Sequence, residues 1–180
     1  MISTRRLITT VTITMLAFIM SGCALLGGIM TSSDGQAIVP PSEFSSKTRE
    51  QTLKEALAQS SHLVQFIGGD WYDHGSPRRL YDPAELSRWA GGPCGTAGSY
   101  QYSIDLQQIV LVEDPLAKIE LVREHWKSLG YKVRQIGPAE TDEERLTHIY
   151  VDLPYGAGLG FHASTTAMTI STQSECIKEE

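Results

Sequence analysis

Asp70-Trp71-Tyr72-Asp73-His74 places two carboxylates, an imidazole and two aromatic rings side by side. Carboxylate and imidazole groups hold divalent metals and move protons near neutral pH. Asp70, Asp73 and His74 are therefore candidates for a hydrolase or a metal-dependent enzyme. Trp71, Tyr72 and His74 are equally a candidate binding loop. A bland reading competes with both. A metal site needs three or four convergent ligands, and this stretch offers one His and two aspartates beside Gly69 and Gly75, where aspartate also serves turns. The segment has no apolar anchor besides Trp71 and Tyr72, and a loop of this length needs one. The balance puts Trp71 under the loop and assigns no catalytic residue, no metal and no cofactor.

The other chemical candidates are weaker. His148 and His162 fall on neighbouring predicted strands and can approach each other across them, with Ser164 on the same side as His162. No acid stands at a fixed offset from them, and no Gly-x-Ser-x-Gly elbow surrounds any serine. Gly156-Ala157-Gly158-Leu159-Gly160 joins two strands, whereas a phosphate loop must open a helix. Glu113-Asp114 is explained by Asp114 as a helix cap, and Asp142, Glu143 and Glu144 fall in a hairpin loop as solvated charge.

The N-terminus carries the most specific pattern. Arg5 and Arg6 precede an uncharged, mostly apolar run from Leu7 to Met20, then Ser21, Gly22 and Cys23. A basic head, a short apolar core and small residues make a secretory signal peptide. A cysteine directly after the small residues marks the bacterial lipoprotein kind, in which the Cys thiol receives a diacylglyceryl group. Met20 stands where such signals usually carry Leu. Two palmitate-type chains hold a protein durably at a membrane, at ~0.8 kcal/mol per buried CH₂. The alternative is an uncleaved anchor over residues 7–30, loosely built because Gly22, Gly27 and Gly28 interrupt it. If Cys23 is lipidated, Cys94 and Cys176 remain, an even pair that fits a disulfide in an exported, oxidising compartment.

Positioning these groups requires a folded domain, and composition allows one. The 180 residues are 41% apolar and 20% charged, with 15 Lys and Arg against 21 Asp and Glu. The negative balance argues against a nucleic-acid partner, which needs clustered basic residues. The expected divisions are a signal peptide over 1–22, a Gly-, Ser- and Pro-bearing tether over 23–44, and a single domain over 45–180. Leu53, Ala56, Leu57, Ser60, Val64 and Ile67 predict a helix over 46–67, stopped by Gly68-Gly69. Leu116, Ile119, Val122, Trp126 and Leu129 predict a second, with Asp114 as N-cap, Pro115 in the first turn and Gly130 beyond its end.

Alternation predicts strands around Tyr100 to Leu106, Tyr131 to Ile136, Thr147 to Leu153, Leu159 to Ala163 and Met168 to Thr172. A phase shift at Gln107-Gln108, before Ile109 and Leu111, suggests a bulge. The fold class is α+β: two helices packed on a mostly antiparallel sheet of about five strands. Strand parity, with a break near Thr165-Thr166 and the Tyr131 strand beside the first, brings Cys94 and Cys176 to one end of the sheet.

Ser21-Gly22-Cys23, Trp71 in a loop upstream of Cys94, Gly130-Tyr131 after the second helix, and a closing strand from Ile170 into Cys176 together resemble the actinobacterial lipoproteins of the mycobacterial LppA type. The resemblance implies an envelope location and supplies no catalytic residues. The expected protein is lipid-anchored at the extracytoplasmic face of the cell membrane. Its domain is a non-catalytic module that binds an envelope protein or an amphiphile. The alternative remains an envelope hydrolase or metal-dependent enzyme using Asp70, Asp73 and His74.

Overall fold

Thr48 sets the start of the first helix. In the computed structural model, which describes residues 43–75, 77–136 and 147–178, the Thr48 hydroxyl accepts from the Gln51 backbone N–H, and the Gln51 side chain accepts from the Thr48 N–H. This reciprocal capping box satisfies two donors that a helix start leaves unpaired. Helix α1 therefore runs Arg49–Ile67, three residues shorter at its start than the apolar spacing predicts. Gly68 and Gly69, with φ of 79° and 81°, end it. Cys23, the expected signal peptide, all of the expected tether but residues 43–44, and the 142–144 acids lie outside the described residues.

Among the described residues eight strands form one sheet: β1 (Tyr72–Asp73), β2 (Gly91–Gly92), β3 (Ser99–Ile109), β4 (Val133–Ile136), β5 (Thr147–Asp152), β6 (Gly158–Ala163), β7 (Ala167–Gln173) and β8 (Ile177–Lys178). The expectation of about five strands undercounts it. The five expected are β3 to β7; the three missed are two residues long, too short to carry an alternating pattern. The sheet order is β1-β3-β7-β6-β5-β4, with β2 and β8 also on β3, and every strand pair is antiparallel.

Helix α2 (Pro115–Ser128) starts as expected, with the Asp114 carboxylate accepting from the Ala117 N–H at 2.9 Å. It carries the chain from β3 to β4, but β4 does not lie beside β3 as the parity argument had it. It forms the opposite edge of the sheet, because β7 takes the place next to β3. The long crossover gives each helix its own half of the same face: α1 rests on β3 and β7, and α2 on β4, β5 and β6.

The expected bulge is absent. Pairing of β3 with β7 continues without a skipped residue from Ser103↔Gln173 to Ile109↔Ala167. Ile109 and Leu111 break the alternation because they are exposed, at 55% and 79%, not because the strand changes face.

The core lies between the helices and one side of the sheet. Leu53, Ala56, Leu57 and Leu63 from α1, and Ile119, Val122 and Trp126 from α2, cover Ile104, Leu106, Ile149, Val151, Phe161 and Ile170. Each large side chain so buried is worth roughly 1.5–3 kcal/mol of transfer free energy. Leu116 and Leu129, expected in the α2 stripe, are instead about half exposed. A buried hydroxyl pair crosses the layers, Ser60 donating to Thr172 at 2.8 Å, which keeps both polar groups satisfied in the dry interior.

The Cys94–Cys176 disulfide is present, with Cα atoms 6.0 Å apart. It clips the chain before β3 to the chain after β7. Beside it the Ser45 N–H donates to the Cys176 carbonyl, and Ser45 bridges Ile177 in parallel. Among the described residues no helix is long and apolar enough to cross a membrane.

Candidate functional site

The aromatic–acidic loop is a structural clasp. Trp71 is 1% exposed and packs into the core, its indole N–H donating to the Gly68 carbonyl at 3.1 Å. A buried indole offers nothing to a partner, so the surface left by the candidate binding loop consists of half-buried Tyr72 and exposed His74. Tyr81, Leu86 and Trp89 also pack against the core, so the segment has more apolar anchors than residues 68–77 alone display.

Asp73 is buried and fully engaged. Its carboxylate accepts from the Arg79 backbone N–H at 2.9 Å and the Arg88 Nε–H at 2.8 Å. The Arg88 side chain is 2% exposed and also donates to the carbonyls of Arg79 and Leu80. Burial pushes the Asp73 carboxyl up, but the Arg79 amide and the Arg88 guanidinium outweigh it and hold it below the usual aspartate value. Asp70 and His74 are exposed. Among the described residues no three His, Cys, Asp or Glu side chains gather closely enough to hold a metal. The arrangement therefore gives no support to the enzyme alternative.

His148 and His162 do meet. They are directly paired across β5 and β6, with ring centroids 6.4 Å apart, on the side of the sheet away from the helices. Ser164 is spent on a turn, its hydroxyl donating to the Ala167 carbonyl. The same face carries a lattice of polar contacts. Arg134 donates from Nε and Nη2 to the two Asp152 carboxylate oxygens and lies 4.7 Å from the Tyr150 ring centre. Tyr150 crosses over Gly158 and Gly160 to bond Gln173 at 2.9 Å, and Ser171 donates to Asp105.

A cavity of about 120 Å³ opens between α1 and the 3₁₀ turn Pro154–Gly156. Thr52, Glu55 and Gln59 line it from the helix, Pro154 from the turn, and Ser174 and Glu175 from the end of β7. The Lys47 ammonium bridges Glu55 at 2.5 Å and Glu175 at 2.9 Å, and these bonds, Glu55 first, raise its pKa above the usual lysine value. None of these residues stands out in the sequence. Thr52, Glu55 and Gln59 border the apolar stripe of α1 at helical spacing, but only the closing of the sheet brings Glu175 to them.

The chain matches no protein-family model and no curated protein. It is similar in fold to a DUF4853 family protein. That structure, from Actinomyces odontolyticus, superposes with a TM-score of 0.51 at 17% identity, covering 79% of this chain and 76% of that one. At this identity the likeness is one of fold.

Proposed function

We propose that this chain is a lipid-anchored protein of the extracytoplasmic face of the cell membrane, of the kind found among LppA-like lipoproteins, and that its domain is a non-catalytic binding module. The observation that carries the reading is the order of Arg5-Arg6, the apolar run, Ser21-Gly22 and Cys23. The Cys94–Cys176 bridge supports it, because such bonds persist in exported compartments.

Between the two classes of partner, an envelope protein is favoured over an amphiphile carried inside the domain. Sites that enclose an apolar ligand have ~300–1,000 Å³, whereas the cavity here has about 120 Å³ and charged walls. Ile109, Val110, Leu111 and Leu116 meanwhile expose apolar surface around the end of β3, the sort of patch that marks a protein contact.

Fractionation of cells expressing wild type and Cys23→Ala tests the anchor. The wild type should partition with membranes and yield an N-terminal peptide bearing diacylglycerol on Cys23 by mass spectrometry. The variant should lose the lipid and leave the membrane fraction. An unmodified Cys23 in membrane-bound wild type would refute lipidation and favour a retained apolar anchor.

A further inference from the structure

We propose that Ile109-Val110-Leu111, at the end of β3, pairs antiparallel with the same residues of a second copy of this chain. The inference deepens the reading of this patch as a protein contact, rests on that reading, and is independent of the anchor.

Backbone direction comes first. Along β3 the even-numbered residues turn their backbone groups towards β7. The Tyr102 carbonyl accepts from the Ser174 amide, and the Val110 and Val112 amides donate to the Thr166 and Thr165 carbonyls. The odd-numbered residues turn theirs the other way, as the Asp105 carbonyl does in accepting from the His74 amide. On that side β2 pairs with Gln101 and Tyr102, and β1 with Leu106 and Gln107. Neither continues beyond Gln107. The N–H and C=O groups of Ile109 and Leu111 therefore point out of the sheet edge, without a hydrogen-bond partner among the described residues.

Natural sheets guard such edges with charge, proline or cover. The opposite edge follows that rule, since β4 carries Arg134 and Lys132 precedes it. Gln107 to Val112 has no charge, no Pro and no Gly, and Ile109, Val110 and Leu111 are all exposed. A short stretch of that composition is prone to pair with another strand.

Symmetry identifies that strand. With a two-fold axis at Val110, Ile109 of each copy stands opposite Leu111 of the other, and their outward N–H and C=O groups satisfy one another. Ile109 and Leu111 of both copies then form one apolar cluster on the face away from the helices, while the Val110 side chains meet on the helix side. Charge permits the approach. The chain has a formal net charge of −6, but the flanking acids, Asp105 and Glu113, fall outside the paired residues. Asp105 already accepts from Ser103 and Ser171. A contact of this isologous kind closes on itself as a dimer. It is short, so the dimer should depend on concentration.

The test is oxidative cross-linking of added-cysteine variants of the full chain in intact expressing cells. Non-reducing gels and mass spectrometry of the linked peptides read the result, and wild type, with its own cysteines, sets the background. In the two-fold register Val110 faces its counterpart in a non-hydrogen-bonded pair, with Cα atoms ~4.5 Å apart, within the span of a disulfide. Val110→Cys should therefore link to itself and give a species of twice the chain mass. Leu111→Cys faces Ile109 and should stay at background alone, but should link to co-expressed Ile109→Cys. Leu111→Pro, added to Val110→Cys, removes an edge N–H without touching the bonds to β7 and should abolish the link. Ile109→Lys, which guards the edge with charge, should do the same and carries the test if the proline variant fails to fold. Equal linking at Val110 and Leu111, no linking, or a link that survives both edge variants would overturn the proposal. A link from Val110→Cys to a protein of another mass would also overturn it, while leaving the patch as a contact for a different envelope protein. Val110→Cys in a purified, concentrated Cys23→Ala chain should give the same link, so failure of the anchor and failure of this contact are separable.

Discussion

Asp73 and His125 respond to acid in separate windows, each for its own local reason. Asp73 is held below the usual aspartate value by the Arg79 amide and Arg88 guanidinium, against the upward push of burial. A folded carboxyl with a depressed pKa adds stability that is complete above the unfolded value of ~3.9 and disappears as pH falls through the folded one. His125 stacks on Phe66 with ring centres 3.7 Å apart, and its pKa is lowered by burial first and by neighbouring His62 second. The unfolded chain therefore takes up that proton more readily than the folded one. Stability is complete above ~6.5 and declines as pH drops from there towards the depressed value. Urea unfolding measured against pH should show two declines, one beginning below ~6.5 and one below ~3.9. His125→Phe, which keeps an aromatic on Phe66, should remove the upper decline and leave the lower. A variant curve that still falls below ~6.5 would show that another group is responsible.

At the scale of elements, β6 shows why a strand can need glycine. Tyr150 on β5 lays its ring across Gly158 and Gly160, and a Cβ at Gly158 would fall within the ring and its hydroxyl. The Gly158→Ala variant should force Tyr150 aside, break its bond to Gln173, and cost about 1–3 kcal/mol as overpacking does. Gly92, where a Cβ would meet nothing within 4 Å, is the matched control, and Gly92→Ala should be close to neutral in thermal melts. Equal losses in the two would mean that the ring does not depend on the gap beneath it. The elements themselves were unequally legible in the sequence. Caps at Asp114 and Gly68, and alternation along β5 to β7, are local signals and read correctly. Exposed Ile109 and Leu111 imitated a phase shift because apolar type was taken for burial, which only the surroundings decide. The Asp73–Arg88 clasp was hidden because its partners stand 15 residues apart across an irregular segment. The Lys47–Glu175 pair, 128 residues apart, depends on the order of strands, which no local pattern encodes.

Across the whole molecule the Cys94–Cys176 bridge closes a separation of 82 residues. In the chain-entropy account it raises folded stability by up to ~4.5 kcal/mol by restricting the unfolded chain. Urea unfolding of the Cys94→Ser/Cys176→Ser double variant should shift to a lower midpoint than the oxidised wild type, and an unchanged midpoint would show that the bridge contributes little. The neighbouring parallel bridge from Ser45 to Ile177 gives this covalent clip a mechanical meaning. A pull on the chain at residue 43 loads the Phe44 ring against Lys178 and then the Ser45 N–H on the Cys176 carbonyl, 2.9 Å long. That contact can be peeled, but the residue it is peeled from, Cys176, is covalently tied to Cys94. A pull through the N-terminal segment therefore works against a strand end that the disulfide holds in place, as a rope is tied to a cleat before it bears on the mast.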